Sequence, residues 1–388
     1  MDITKMTINF DLPTHWLHGA GYAAKTGELL KERNVKAPLV LTGPIVRRTG
    51  VINPVLESLD AQGFKYEICD LFATEPTVKF FDDTVKDLNL SRFDSVVAVG
   101  GGSIIDSAKA LAVVAKFGGS IRQYAGKDKM PARPDWINIC IPTTAGTGSE
   151  VSDGAVFIDE EEDTKFIMMS KRACPNIALT DPNLSRTMPA SVTAYSGVDA
   201  LVHAIESYTS RFANTVTEQF ALQAIAYISK YLPVAYKDGN NMEARSAMTM
   251  GSTMAMISAS NAYCGLCHSM AMPLCGLYHM IHGQGCGMSL PFVLKYNSAV
   301  TPQKVETVFK TMNLWDDALN RDEAMTQGFV KLEKFLNDLG IITKLSHFNC
   351  TEKDLDHIAK ATLGSIQCAP NPRTPTHAEI VELARGFM

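Results

Sequence analysis

Residues 94–116 read DSVVAVGGGSIIDSAKALAVVAK, and this stretch decides the fold. Asp94 to Gly100 is a short, almost wholly apolar run, the pattern of a buried strand, and it stops at three glycines. Ser103 to Lys116 follows with small and apolar residues at helical spacing. Strand, glycine turn and helix in that order are the opening of a βαβ unit. The alternation continues outward on both sides. Upstream, Ala37 to Gly43 (APLVLTG) is strand-like, Val51 to Gln62 helical, Lys65 to Leu71 strand-like, and a helix starts near Thr77. Downstream, Trp136 to Thr143 is the next strand, and Ala155 to Asp159 with Lys165 to Ser170 flank an acidic turn as a hairpin. A parallel sheet covered by helices is the expected result. The pattern changes near Pro189. Ser191 to Ser210, Thr215 to Leu232, Met242 to Ser258 and Ala324 to Leu339 are long helical stretches, and Thr376 with Glu379 is a capping-box signature for a last helix. We expect an α/β domain over residues 1–187 and an all-helical domain over 188–388.

The chain has 388 residues, enough for two domains with a core each. A hydrophobic fraction of 46% with 20% charged residues fits a soluble globular protein. The formal net charge of -5 argues against a nucleic-acid or anionic-membrane partner, which would favour a basic patch. Met1 to Asp11 shows no basic stretch followed by a long apolar run, so no signal peptide is expected. No apolar run reaches the ~18 residues of a spanning helix. The 9 cysteines are odd in number and scattered, which fits reduced thiols in the cytoplasm rather than a disulfide framework. A homodimer is the default assembly.

Two loops carry a nucleotide-binding chemistry. Gly100-Gly101-Gly102-Ser103 sits between strand and helix, where glycines admit close approach and the helix N-terminus offers N–H groups to a phosphate; Asp106 and Lys109 lie on the first turns of that helix. It is not the G-x-G-x-x-G of the standard dinucleotide fold, and a tight turn without a ligand reads equally well. Pro142 to Glu150 (PTTAGTGSE) also follows a strand and offers small residues, hydroxyls and flexible backbone suited to polyphosphate or ribose contacts. Asp199 and His203 are four apart in a helical pattern, which places carboxylate and imidazole on one face. His268 and His282 lie further on, with Pro273 and Gly276 between them to turn the backbone. Three imidazoles and a carboxylate suit Fe²⁺ or Zn²⁺. The same residues also read as a surface pair and two core histidines. Cys264-Gly265-Leu266-Cys267-His268 matches the C-x-x-C-H of covalent haem attachment, and Cys264, Cys267, Cys275 and Cys286 offer a thiolate zinc site without a recognised spacing.

Taken together, GGGSIIDSAKA (100–110), PTTAGTGSEVS (142–152), SGVDALVHAIESY (196–208), CHSMAMPL with HGQG (267–285) and CAPNPR (368–373) resemble the iron-containing, or group III, alcohol dehydrogenase family over nearly the whole chain. The resemblance implies a dehydroquinate-synthase-like architecture: a Rossmann-like α/β domain for NAD(H) or NADP(H), an all-α metal-binding domain, and substrate between them. It implies metal ligands at Asp199, His203, His268 and His282. It implies cofactor contacts at Gly100, Gly101, Gly102, Ser103, Thr143, Thr144 and Thr147, and also at Lys165 and Leu184. The reaction implied is metal-assisted hydride transfer between a small alcohol or aldehyde and the nicotinamide. A polyol dehydrogenase or a dehydroquinate-synthase-like lyase is the alternative on the same architecture.

Four departures from the family pattern stand out. Gly43 replaces a common aspartate after the first strand; losing an acid that repels a 2′-phosphate, with Arg47 and Arg48 downstream, points to NADP as well as NAD. Met272 replaces a histidine often given a proton-relay role, which leaves His279 or solvent to carry the proton. Glu75 replaces an asparagine in the Thr74-Glu75-Pro76-Thr77 turn. Asp153 stands where substrate contacts are expected and would discourage an anionic substrate. Cys368, in the C-terminal loop, is a further expected pocket residue.

Overall fold

The computed structural model describes residues 7–72, 76–162 and 164–388. Thr74 and Glu75 therefore lie outside the described residues. The chain divides into two compact units. One is Asp11–Thr187, and the other is Met188–Met388 with the described residues up to Phe10. Sequence patterning assigned that leading segment to the α/β domain. Its Phe10 instead stacks on Phe220 of the helical unit, with ring centroids 5.8 Å apart.

The strands of the first unit are β1 (His15–His18), β2 (Pro38–Thr42), β3 (Glu67–Cys69), β4 (Ser95–Gly100), β5 (Gly126–Lys127), β6 (Ile137–Pro142), β7 (Gly154–Asp159), β8 (Thr164–Met169) and β9 (Ile177–Thr180). Its helices are α1 (Thr26–Glu32), α2 (Pro44–Arg48), α3 (Asn53–Ala61), α4 (Val78–Leu88) and α5 (Gly102–Phe117). Among the described residues six strands form a parallel sheet in the order β1-β9-β6-β4-β2-β3. The interior strands are apolar on both faces, as a covered parallel sheet requires. Leu39, Leu41, Val96 and Ala98 pack to one side with α4 and α5, while Val40, Val97 and Val99 pack to the other with α1 and α3. β7 and β8 form the expected antiparallel hairpin, extended by β5.

Strand order reverses at β2. From there β3 extends one edge, whereas β4, β6 and β9 extend the other. Ligands of open α/β sheets bind beyond the carboxyl ends of the strands at such a switch point. The turns leaving β2, β4 and β6 therefore share that edge, because Thr42 is level with Val99 and Gly100 with Pro142.

The second unit is helical: α6 (Ala190–Thr209), α7 (Thr215–Lys237), α8 (Met242–Ala262), α9 (Leu266–Tyr278), α10 (His282–Ser298), α11 (Pro302–Thr311), α12 (Arg321–Asp338), α13 (Glu352–Gly364) and α14 (His377–Gly386). Nearly every residue of α6 from Gly197 to Thr209 is buried, so it is the central helix of the bundle. Pro273 does not turn the backbone between His268 and His282; it lies inside α9. The turn comes later, at His279, which ends α9 in the left-handed region at φ 50. Among the described residues no helix is long and apolar enough to cross a membrane.

Candidate metal centre and cofactor loops

α6 carries Asp199, His203 and Glu206 at spacings of four and three, on one face of its fully buried stretch from Gly197 to Thr209. α9 brings His268 and α10 brings His282 to the same place. α10 gets there because it starts with glycines. A Cβ on Gly283 would lie 1.9 Å from the backbone oxygen of Tyr195, and one on Gly287 would lie 2.7 Å from Val198 Cγ1. The two glycines, one turn apart, let α10 lie directly on α6 and set His282 beside Asp199.

His268 Nε2 and His282 Nε2 stand 3.7 and 3.6 Å from Asp199 Oδ1, and His203 Nδ1 stands 3.9 Å from Asp199 Oδ2. These are too long for hydrogen bonds. Asp199 Oδ1, His203 Nδ1 and His268 Nε2 are sealed from solvent and have no hydrogen-bond partner among the described residues. Buried polar atoms are rarely left so, because desolvation without a partner is costly. Convergent, orphaned acceptor atoms of a carboxylate and imidazoles fit a divalent cation. The four residues do not form one equidistant set. Asp199, His268 and His282 cluster with Cys286, while His203 clusters with Cys264 and His268.

Glu206 was not singled out from the sequence, yet it organises the site. Its Oε2 accepts from His268 Nδ1 at 2.6 Å and from the Gly265 N–H at 2.9 Å, and its Oε1 accepts from the Cys267 N–H at 2.5 Å. The carboxylate thus caps the N-terminus of α9, where backbone donors lack partners. Since a carboxylate only accepts, His268 donates through Nδ1 and its Nε2 lone pair faces the cluster. The signal in the sequence was the third position of a helical face already marked by Asp199 and His203. Burial raises the Glu206 carboxyl, but His268 and the two N–H groups outweigh it and hold it below the usual range. Burial likewise opposes ionisation of Asp199, and the surrounding histidines, His203 foremost, hold its carboxyl below the usual range. Burial pushes the His203 imidazole down to about 4, which keeps it neutral and able to ligate at neutral pH.

In the α/β unit the glycine turn and the second loop pack together. A Cβ on Gly102 would lie 2.9 Å from Thr147 Cγ2, and one on Gly101 would lie 3.6 Å from Thr144 Cγ2. Among the described residues no side chain is seen to cap the N-terminus of α5 and no acid stands in its first turn, so Gly102 and Ser103 present donors at the switch point. This cradle fits a pyrophosphate. Asp106 serves within the protein: it accepts from Ser149 Oγ and from the Val156 N–H at 3.0 Å. Lys109 is fully buried and donates to Ser149 Oγ, Ser152 Oγ and the Gly154 oxygen at 2.8, 2.8 and 2.7 Å. The pair ties α5 to the second loop. Thr143 is buried with its N–H on the Gly100 oxygen, and Leu184 is buried in the core against the sheet. Lys165 lies on β8 opposite Ile158.

The remaining expected residues fall as follows. Gly43 leaves β2 beside Ile104, and Arg47 pairs at 2.8 Å with Asp70, which follows β3. An acid therefore returns to this edge from the neighbouring strand. Asp153 is not a free carboxylate, since Lys171 stands 3.3 Å away. Met272 is one turn beyond His268 on α9, and His279 is exposed. Cys368 is buried in a turn that packs on α9. The haem reading fails because His268 is turned into the cluster and Cys267 is wholly buried. The four-cysteine zinc reading fails too, because Cys264 and Cys286 group with histidines rather than with each other.

Residues 13–182 match the family described as iron-containing alcohol dehydrogenase, and residues 193–388 match the Fe-containing alcohol dehydrogenase family, C-terminal. A choline dehydrogenase of Bacillus subtilis (strain 168) is 33% identical over 94% of this chain and 91% of its own. An NAD-dependent methanol dehydrogenase of Bacillus methanolicus is 30% identical over 98% of this chain and 100% of its own. The crystal structure of a 1,3-propanediol oxidoreductase superposes with a TM-score of 0.94 at 30% identity, over 99% of this chain and 100% of that one. With both units matched over most of their length, the chain belongs to the iron-containing alcohol dehydrogenase family and is an alcohol–aldehyde oxidoreductase.

Proposed function

We propose that this enzyme interconverts small primary alcohols or diols and their aldehydes with NAD(H), and accepts NADP(H). The observation that carries the reading is the convergence of Asp199, His203 and His268, whose buried acceptor atoms lack hydrogen-bond partners among the described residues, with the half-exposed His282 beside Asp199. When bound, a divalent ion there supplies Lewis acidity towards the alcohol oxygen, and the nicotinamide supplies the hydride acceptor.

The chain's own residues do the rest. Asp199 offsets one of the ion's two charges and leaves the site net positive. Glu206 fixes the His268 tautomer, so that ring needs no reorganisation to ligate. The turn Gly100–Ser103 and the hydroxyls of Thr143, Thr144 and Thr147 orient the cofactor phosphates and ribose, with Lys165 and Leu184 as further contacts. Met272 carries no proton, so the alcohol proton leaves through His279 or directly to solvent. Cys368, in the turn that packs on α9, contacts the substrate. Arg48 with Gly43 tolerates a 2′-phosphate, while Arg47 is engaged by Asp70. None of the nine cysteines is in a disulfide, which suits a reducing cytoplasm, and a homodimer is the working assembly.

Metal analysis combined with an alcohol-dependent NAD(P)H absorbance assay tests the whole reading. Stoichiometric metal and turnover with at least one short alcohol, diol or aldehyde are expected. No metal and no turnover across that panel would defeat it. A kcat/KM strongly favouring NADH over NADPH would remove the NADP part alone.

A further inference from the structure

In the α/β unit the carboxyl ends of β3, β2 and β4 lie side by side. Cys69 is level with Leu41, so Asp70 follows level with Thr42, and Thr42 is level with Val99. The residues that directly follow β2, β3, β4 and β6 are Gly43, Asp70, Gly101 and Thr143, and only Asp70 is acidic. A Cβ on Gly43 would lie 3.3 Å from the Phe72 oxygen and 3.7 Å from Ile104 Cδ1. The turn after β2 therefore touches both the segment that follows Asp70 and the first turn of α5. Arg47 stands one turn beyond Gly43, with its N–H on the Gly43 oxygen at 3.1 Å, and its Nη1 donates to Asp70 Oδ2 at 2.8 Å. The pair is open to water, with the Arg47 side chain 47% and that of Asp70 33% exposed. Close to them in the chain, Ile45 and Leu71 are 65% and 58% exposed, apolar surface of the kind an adenine ring covers.

We infer that Asp70 sets the choice between the two nicotinamide cofactors by holding the Arg47 guanidinium away from a 2′-phosphate. The inference rests on the nucleotide reading of the Gly100–Ser103 turn. In dinucleotide folds the acid that reads the adenosine ribose stands at the end of a strand beside the glycine turn. Here β2, the neighbouring strand, ends in glycine, and the acid comes from β3, one strand further out. That acid is tied to the cation that would otherwise be free for a 2′-phosphate. An exposed ion pair is weak, so a phosphate carrying about two negative charges can displace Asp70 from Arg47. It does so against the repulsion of the carboxylate it releases. NADP(H) is therefore accepted at reduced affinity, and Asp70 grades the preference that Gly43 no longer sets.

The test is nucleotide binding to the full-length protein, read by nicotinamide fluorescence with NADH and NADPH and by competition with 5′-AMP and 2′,5′-ADP. The wild type is expected to bind NADH more tightly than NADPH. Asp70→Asn should keep its NADH affinity within about threefold and bind NADPH and 2′,5′-ADP about tenfold more tightly, the effect of one freed charge-assisted contact at an exposed site. That gain should shrink as salt rises. Arg47→Ala in the Asp70→Asn background should cancel it. Arg47→Ala alone should weaken NADPH further, because Asp70 then faces the phosphate without its cation. An unchanged NADPH-to-NADH ratio in Asp70→Asn overturns the inference, as does a gain that survives the added Arg47→Ala. So does a loss of NADH binding beyond about tenfold in Asp70→Asn, since the carboxylate would then be a direct ribose ligand. If the wild type binds neither NADH nor NADPH, the nucleotide reading itself fails. That result is distinct from binding of both without preference, which overturns only the role of Asp70.

Discussion

At the scale of single residues the site is governed by what burial does to polar groups. Glu206 is the clearest case, because one carboxylate satisfies two backbone donors and one imidazole. Glu206→Gln preserves the shape but removes the charge that fixes the His268 tautomer. Metal affinity should fall ~10–100-fold, as for other outer partners of ligating histidines, measured by competition with a chelating dye. His203 gives a pH prediction for the metal-free protein. Its folded pKa of about 4 lies below the ordinary 6.5, so between those values the unfolded chain takes up a proton that the folded one resists. Its contribution is therefore complete above pH 6.5 and is lost as pH falls towards 4. Urea midpoints of chelated protein should decline across that window, and His203→Asn should flatten the decline.

At the scale of elements, two contacts place the chemistry. The first is α10 on α6. Gly283→Ala puts a Cβ against the Tyr195 carbonyl, and backbone cannot yield as a side chain can. A cost of about 1–3 kcal/mol is expected for such overpacking, with reduced metal stoichiometry because His282 moves with its helix. Thermal unfolding and metal analysis of the same preparation would check both. The second contact is α5 on the second loop through Lys109 and Asp106. Lys109→Ala leaves the Asp106 carboxylate largely buried without its cation and should cost about 3–5 kcal/mol. It should also weaken NADH binding, since Ser149 loses a donor and the loop its anchor. Unchanged stability in that variant would show that the network is incidental. Patterning found the ends of these elements poorly where proline intervened. α7, α9 and α10 run through Pro233, Pro273 and Pro291, because burial in a bundle outweighs the local penalty of about 3 kcal/mol.

At the scale of the whole molecule, the cofactor loops belong to the unit Asp11–Thr187 and the four expected ligands to the unit containing Met188–Met388. Stripping the metal should therefore abolish turnover but leave NADH binding within a few-fold, read by fluorescence titration, and restored metal should restore the rate. Loss of NADH binding on chelation would contradict that division. The sequence by itself determined the parallel sheet and the helical second half. Those follow from periodicities of two and 3.6 and from short motifs, which are local properties of the chain. It did not reveal β1, β5 or β9, whose short runs become strands only when neighbours supply their hydrogen bonds. Nor did it reveal Glu206 as the organiser of His268 or the Asp70 partner of Arg47. Each of those depends on which side chains are sealed from water together, and burial is decided by the packing of distant helices and strands rather than by neighbours in the chain.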